Sequence, residues 1–323
     1  MTDPSVPEWE RAVLERVALQ ALEEQRRARQ WKALFKLLWF AFAFLIFAAW
    51  MGWLGRPDRD LDATVGTGKH TALVELEGVI GPESKASSER MIKALNRAFK
   101  DRNTQGVIVR INSPGGSPVQ AGYINDEIRR LRAKHPGIPV YAVVQDLCAS
   151  GGYYVAVAAD KIYVDKASLV GSIGAIIGSF GFVGSMEKLG IERRAYTSGD
   201  NKDFLDPFAP EKPEHREHAK KMLSEIHNQF INVVKQGRGA RLKESPEIFS
   251  GLVWTGEKSI ELGLADALGS AEYVAREVVK AEKLVDFTPE DNVLEVLSKR
   301  LGTSFGESLS RAASQAAASL LLR

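Results

Sequence analysis

Cysteine and histidine are scarce in this chain of 323 residues, and neither sign of charge dominates it. The single cysteine, Cys148, excludes a disulfide scaffold and any zinc site built from cysteines. Lys and Arg number 43 against 41 Asp and Glu, which leaves a net charge of +2. Because a nucleic-acid-binding protein needs a surplus of basic residues on one face, we expect no nucleic-acid partner. Hydrophobic residues make up 45% of the chain, a proportion typical of globular proteins.

One stretch lacks charge altogether. Residues 37–54 (LLWFAFAFLIFAAWMGWL) contain no charged side chain. As a helix they would span ~27 Å, close to the ~30 Å of bilayer hydrocarbon. Tryptophans lie near both ends of the stretch, where interfacial aromatic residues occur in membrane proteins. A buried core helix rarely runs so long without a polar position, so the sequence predicts a transmembrane anchor over residues 37–55.

The charges beside the anchor indicate its orientation. Residues 26–36 contain five basic residues and no acid, whereas residues 56–62 are slightly acidic. The positive-inside rule therefore places residues 1–36 in the cytoplasm and sends the chain after Gly55 across the membrane. The apolar run is too long for a cleaved signal peptide, and no small-residue cleavage site follows it. We predict an uncleaved, single-pass anchor in the lipid bilayer, followed by a linker over residues 56–69.

Strand and helix patterns alternate after residue 70. Short apolar runs such as Gly106–Ile111 (GVIVRI) predict buried strands, and amphipathic stretches such as Val119–Lys134 predict helices. This alternation predicts an α/β fold with a mostly parallel sheet and flanking helices, in which function lies in turns after the carboxyl ends of strands. The predicted strands are 71–80, 106–111, 138–144, 161–164 and 191–197, and the predicted helices are 87–101, 119–134, 150–159 and 211–236.

Two turns at predicted strand ends carry pairs of glycines. Residues 112–116 (NSPGG) follow one strand, and their glycines allow the backbone to turn its N–H groups toward a ligand. Residues 149–153 (ASGGY) place Ser150 at or near the start of a helix, where its Oγ would be exposed. The structural alternatives are an ordinary strand-to-helix turn and a serine that caps the helix. Neither motif alone identifies a site.

A nucleophilic serine needs a base, and histidine is poorly placed to be one. None of the five histidines lies between residues 136 and 214, and the pair His215 and His218 lacks the H-E-x-x-H pattern of zinc sites. A lysine in its unprotonated form can also accept the serine proton. Spacing alone leaves four candidates for this base: Lys161, Lys166, Lys188 and Lys202.

Four ordered motifs together resemble the signal peptide peptidase A family, also called protease IV. They are NSPGG (112–116), ASGGYYVA (149–156), VGSIG (170–174) and TSGDNKD (197–203), and the resemblance covers about residues 70–285. It implies a Clp/crotonase-like fold and a serine endopeptidase that uses a Ser-Lys dyad, with no cofactor and no metal. It also implies that cleaved signal peptides and other apolar peptides are the substrates.

The resemblance assigns five residues to this chemistry. Ser150 corresponds to the nucleophile and Lys202 to the general base, while Gly116 and Gly151 correspond to the oxyanion-hole donors and Ser172 to the hydroxyl that orients the lysine. A lysine serves as base only when it is neutral, so its ordinary pKa of ~10.4 must fall by about 3 units. The sequence departs from the family at Asp200 and Asn201, where basic or aromatic residues are usual, so Asp200 should point away from the site.

The family also implies a setting for the domain. Its members form homo-oligomers in which the serine of one subunit can meet the lysine of its neighbour, and the charges beside the anchor predict a catalytic domain on the periplasmic side of the inner membrane. We therefore expect a peptidase domain over residues 70–286 and a C-terminal tail over residues 287–323. Two alternatives remain: a catalytically inactive membrane scaffold of the same fold, and a crotonase-type acyl-CoA enzyme.

Overall fold

The computed structural model describes residues 8–50 and 68–289, which belong to two separate units divided near residue 65. The predictions for the linker, for the last residues of the anchor and for nearly all of the C-terminal tail lie outside the described residues.

The described part of the first unit is one long helix, α1 (Glu8–Trp50), of 43 residues. No proline or glycine interrupts residues 8–50, which explains the unbroken helix. Within it, Gln25–Phe47 is long and apolar enough to cross a membrane, with a mean hydropathy of 1.4 and none of its window buried by protein. This segment overlaps the predicted anchor and begins earlier in the chain. The structure thus contains one candidate membrane-spanning helix among the residues it describes.

The second unit is built on an eight-stranded sheet. Its path runs β6-β5-β3-β2-β1-β8, with β4 beside β3 and β7 beside β4. The strands are β1 (His70–Glu77), β2 (Thr104–Ser113), β3 (Val140–Ala149), β4 (Lys161–Val164), β5 (Leu169–Gly171), β6 (Val253–Thr255), β7 (Ala267–Leu268) and β8 (Leu284–Asp286). The helices are α2 (Ser88–Lys100), α3 (Pro118–Lys134), α4 (Gly151–Ala156), α5 (Val183–Lys188), α6 (Pro213–Arg238), α7 (Gly256–Glu261) and α8 (Ala271–Tyr273).

All strand pairs are parallel except β5 with β6, which is antiparallel. Side chains on both faces of the central strands are buried, as expected for a parallel sheet covered by helices. On one face, Leu73, Ile108 and Val143 pack against Val274 and Ala275 from the turn after α8. The predicted α/β class, with a mostly parallel sheet and flanking helices, is confirmed.

The sheet brings the two glycine turns together. Strands β2 and β3 are parallel neighbours, so their carboxyl ends meet at one edge. Their pairing runs in register to Ile111 and Val144, then shifts so that Ser113 lies opposite Cys148. The shift lengthens β3 on its way to Ala149 and delivers the serine turn, residues 149–153, beside the NSPGG turn.

One predicted strand is wrong. Residues 191–197 form no strand in the structure, and every one of them is exposed. The pattern of β-branched and aromatic residues there suits a pleated surface, but no strand lies alongside to pair with it. The helix predicted over 150–159 is also shorter, because α4 ends at Ala156.

Candidate active site

Ser150 has an unusual backbone conformation at the junction of β3 and α4. Its φ of 51° and ψ of −122° lie in a region that non-glycine residues rarely occupy. Its N–H donates to Gly171 O at 2.8 Å, which fixes the turn. Although Ser150 occupies the N-cap position, its side chain makes no capping hydrogen bond. The capping alternative therefore does not account for this serine, and strain of this kind is typical of functional turns.

The NSPGG turn packs directly against Ser150, and only glycines permit the approach. Gly115 has a φ of 97°, and a Cβ on it would lie 2.7 Å from Ser150 Cβ and 2.6 Å from Gly151 N. Gly116 has a φ of 147°, and a Cβ on it would lie 2.1 Å from Ile80 O. Hydrogen bonds from Ile80 N to Gly115 O and from Ser117 N to Ile80 O hold this turn on both sides of Gly116. The glycine pair is a requirement of packing as well as of turning.

The N–H groups of Gly116 and Gly151 lie close together beside Ser150. The amide nitrogen of Gly116 is 3.2 Å from the point that a Cβ on Gly151 would occupy. No residue that the structure describes accepts a hydrogen bond from either N–H. Two unpaired backbone donors next to a serine Oγ are the groups that an acyl-transfer site needs to bind a developing oxyanion.

Ser172 joins this group from the neighbouring strand. β5 pairs with the end of β3, with Gly171 opposite Ala149, so Ser172 follows at the adjacent strand end. Its φ of 52° makes it, like Ser150, one of four described non-glycine residues with positive φ. Its N–H donates to Leu252 O at 2.7 Å. The structure therefore brings Ser150, Gly116, Gly151 and Ser172 together.

Lys202 lies elsewhere, on a segment that we call the lysine arm, residues 176–226. The lysine is exposed, and its ammonium forms no hydrogen bond or ion pair with any described residue. Apart from contacts within α6, each hydrogen bond of the arm stays inside it, such as Phe182 N to Pro207 O at 2.8 Å and Arg193 to Asp206 at 2.6 Å. The arm holds itself together but not to the serine.

Helix α6 contacts the loop after β5 at one point and the lysine arm at another. Near its middle, His227 Nε2 donates to Ile173 O at 3.1 Å, next to Ser172. In its first turn, His215 Nε2 donates to Asn201 Oδ1 at 3.0 Å, next to Lys202. The two histidines are 12 residues apart, which is about 18 Å along a helix. This separation is longer than an extended lysine side chain.

Several residues that sequence reasoning missed support the serine turn. Buried Ser113 accepts a hydrogen bond from Gly115 N at 3.1 Å and donates one to Gly78 O at 2.6 Å. On α4, the hydroxyl of buried Tyr153 donates to Leu264 O at 2.8 Å. Asn125 Nδ2 donates to Tyr154 O at 2.6 Å. Ser113 could have been found, because a serine at the end of a mostly buried strand needs a local partner.

Cys148 is close to Ser150 in sequence but is not part of its chemistry. Its side chain is fully buried, and burial raises the pKa of the thiol well above its ordinary value. A buried, protonated thiol is a poor nucleophile. Cys148 therefore serves as a packing residue of β3.

Several known proteins and one family model are similar to this chain. The model of Peptidase family S49 matches residues 132–285. The chain is 49% identical over 175 residues to a Na(+)/H(+) antiporter NhaA of Brucella melitensis, a stretch that covers 54% of this chain and 24% of that protein. It is 31% identical over 200 residues to a candidate signal peptide peptidase SppA of Enterococcus faecium, covering 62% of this chain and 58% of that one.

Another relative is matched over more of its own length. A candidate protease of Methanocaldococcus jannaschii is 31% identical over 218 residues, which are 66% of this chain and 69% of that protein. Among solved structures, a membrane-bound stomatin-specific protease in complex with a substrate peptide gives a TM-score of 0.44 at 16% identity, over 73% of this chain and 99% of that one.

The chain corresponds to only part of each of these relatives. The chain spans about a quarter of the Brucella protein and 58% of the Enterococcus protein, so the activities of those whole proteins are not carried over by identity alone. The family model and the protease relatives do support a serine peptidase. The chain belongs to peptidase family S49.

Proposed function

We propose that the protein is a membrane-anchored serine endopeptidase that degrades cleaved signal peptides and other apolar peptides through a Ser-Lys dyad. The observation that carries the proposal is the serine turn: Ser150 is held in a rare backbone conformation without a capping bond, beside two unpaired N–H groups. A scaffold would have no use for that strain. A crotonase-type acyl-CoA enzyme would use the donors but would need neither Ser150 nor Lys202.

The chemistry follows from these groups. Ser150 Oγ attacks the peptide carbonyl carbon while its proton passes to the neutral amine of Lys202. The carbonyl oxygen becomes an oxyanion that accepts hydrogen bonds from Gly116 N–H and Gly151 N–H, each worth ~3 kcal/mol in the transition state. The C–N bond then breaks, and the amine leaves with the proton from Lys202. Water, deprotonated by Lys202, hydrolyses the acyl-Ser150 ester and regenerates both residues.

The dyad, on this proposal, forms between copies of the chain. The residue before Lys202 and the residue after Ser172 bind α6 at points ~18 Å apart, which supports a dyad whose serine and lysine come from different chains. The lysine arm also exposes large apolar side chains, including Ile176 (89% exposed), Phe180 (80%) and Tyr196 (95%). Such surfaces on a soluble domain mark protein interfaces. A homo-oligomer that buries the arm against a neighbour would bring Lys202 to that neighbour's Ser150.

The membrane setting is part of the same proposal. Helix α1 would supply the anchor, and the basic residues at 26–36, which precede its uncharged stretch, support a cytoplasmic N-terminus. The peptidase domain would then lie at the periplasmic face of the inner membrane. Signal peptides remain in that membrane after secretion, so an anchored enzyme would meet its apolar substrates there.

Complementation between two inactive variants tests the proposal. Ser150→Ala and Lys202→Ala chains are each expected to be inactive in casein zymography. Their co-assembly in detergent should restore up to a quarter of the active sites in the mixed oligomer. Wild type, but not Ser150→Ala, should react with a fluorophosphonate label. Absence of labelling and of casein cleavage in wild type would favour the scaffold. If neither mixing the two variants nor joining them covalently restores activity, the dyad lies within one chain.

A further inference from the structure

Two residues at the start of α6 hold the residues on both sides of Lys202: Lys212, just before the helix, and His215, in its first turn. Lys212 Nζ lies 2.8 Å from an oxygen of Asp203, the residue that follows Lys202. His215 Nε2 donates to Asn201 Oδ1 at 3.0 Å, on the residue that precedes it. The ring of Phe204 meets the ring of His215 edge-on, with centroids 5.4 Å apart. Lys202 itself is left unattached between fixed neighbours.

His215 is the centre of this arrangement. It is the single buried residue of the lysine arm, at 7% exposed, although the arm is otherwise open to solvent. An imidazole that donates to a neighbouring amide and packs against an aromatic ring has its orientation fixed by both contacts. The hydrogen bond joins it to the exposed side chain of Asn201, and the peptide bond joins Asn201 to Lys202.

We propose that His215 is a positioning residue for Lys202, holding the turn that carries the lysine through its hydrogen bond to Asn201. The inference rests on the proposed function, since it assigns His215 a purpose only if Lys202 is the base. Displacement of a catalytic group by about 1 Å can cost on the order of 100-fold in rate. An exposed turn that must present a lysine to a reacting serine therefore gains from a fixed support.

The helix offers a matched control. His218 lies one turn further along α6 and also meets the Phe204 ring edge-on, with centroids 5.5 Å apart. Unlike His215, it is exposed, and no described residue shares a hydrogen bond with its side chain. Replacement of either histidine by Phe keeps a ring against Phe204, but only the His215 variant loses a hydrogen bond.

Steady-state kinetics on a fluorogenic apolar peptide, with the full chain in detergent, separate the two roles. His215→Phe is expected to lower kcat at least tenfold with KM within twofold of wild type, and His218→Phe to leave both within twofold. His215→Gln retains an N–H donor, so it should recover kcat to within about threefold of wild type. Asn201→Ala removes the acceptor from an exposed residue and should reproduce the loss even if His215→Phe folds poorly.

The rate of fluorophosphonate labelling of Ser150 shows whether His215 acts through the lysine. His215→Phe should slow labelling in the native background and have no further effect in a Lys202→Ala background. Equal slowing in both backgrounds, or wild-type kcat in Asn201→Ala, would overturn the inference. Failure of wild type to label or to cleave would instead overturn the proposed function.

Discussion

Ser150 and Lys202 lie in surroundings of opposite kinds. The serine turn is enclosed by buried strands and fixed by backbone hydrogen bonds, and its neighbours Cys148, Gly151 and Ile173 are buried. The lysine arm has a single buried residue, His215, and exposes several large apolar side chains. The candidate nucleophile is thus enclosed by its own chain, whereas the candidate base is exposed. On the proposed function, the oligomer would enclose Lys202 and so control when the peptidase is active.

Such a division has a physical advantage. The unprotonated lysine that the chemistry needs is favoured when the amine leaves water for an apolar site. In a single chain Lys202 is exposed to water and lies on a segment that makes no hydrogen bond to the serine turn. If burial of the arm in an oligomer also desolvates the lysine, activation and assembly become one event, and an unassembled chain cannot cleave other proteins.

The largest expected effect comes from removal of the nucleophile. Ser150→Ala should reduce kcat by on the order of 10⁴-fold or more, because acyl-enzyme formation has no substitute. The variant should keep the same thermal midpoint and the same mass in solution, since the Ser150 side chain makes no capping hydrogen bond to the described part of the chain. Intact-mass detection of the fluorophosphonate adduct on wild type checks the assignment. An adduct on Ser150→Ala would move the nucleophile to another residue.

A smaller loss should follow from a change in the oxyanion donors. Gly116→Ala places a Cβ 2.1 Å from Ile80 O and must therefore displace the turn. Loss of one donor from such a site costs on the order of 100-fold in kcat. The serine should still react with the label, more slowly.

The matched control for that variant is Gly122→Ala on α3, where an added Cβ meets nothing within 4 Å. Alanine favours a helix over glycine, so this variant should keep full activity and gain up to ~1 kcal/mol of stability. Equal activity of Gly116→Ala and Gly122→Ala would show that the Gly116 N–H takes no part in catalysis.

The body of the fold and its glycine turns could be predicted from sequence, because their signals are local. Buried runs such as Gly106–Ile111 and the glycine pair at 115–116 carry their structure within a few residues. Residues 191–197 could not be placed correctly, because a strand exists only where another strand pairs with it. Strands β5 to β8 have four residues or fewer and too little pattern to detect. On the proposed function, the surroundings of Lys202 come partly from a neighbouring chain, so no local pattern in the sequence encodes them.

Two ion pairs, one in the buried body of the second unit and one on the lysine arm, are expected to differ in their contribution to stability. In the buried body, Arg238 is 1% exposed and pairs with Asp266 at 2.8 Å. Asp266→Asn would leave this buried guanidinium without its charge partner, which should lower the free energy of unfolding by about 3 kcal/mol. Urea denaturation at neutral pH measures it. A loss below ~1 kcal/mol would mean that water and the carbonyl of Gly263, which already accepts from Arg238 Nε at 2.8 Å, satisfy the guanidinium without the carboxylate.

The same pair predicts a dependence on pH. Burial alone would raise the pKa of Asp266, but the hydrogen bonds from Arg238 outweigh it and hold the pKa below its ordinary value. A carboxyl group with a lower pKa in the folded state stabilises the fold above its unfolded pKa of ~3.9 and loses that contribution as the pH falls through the folded value. Wild type should therefore lose stability below pH ~4 more steeply than Asp266→Asn does.

The smallest expected effect concerns the ion pair of the lysine arm. Lys212 and Asp203 pair at 2.8 Å, but their side chains are 38% and 22% exposed. A solvent-exposed pair contributes ~0–1 kcal/mol, so Lys212→Met should change the free energy of unfolding by less than ~1 kcal/mol. The variant removes one cation from beside the Asp203 carboxylate, while His215 Nε2 remains 3.9 Å from it. Urea denaturation of Lys212→Met and of wild type measures the difference. If Lys212→Met lowered the free energy of unfolding as much as Asp266→Asn does, the lysine arm would be stabilised as strongly as the buried body of the second unit. The difference proposed between these two regions would then be wrong.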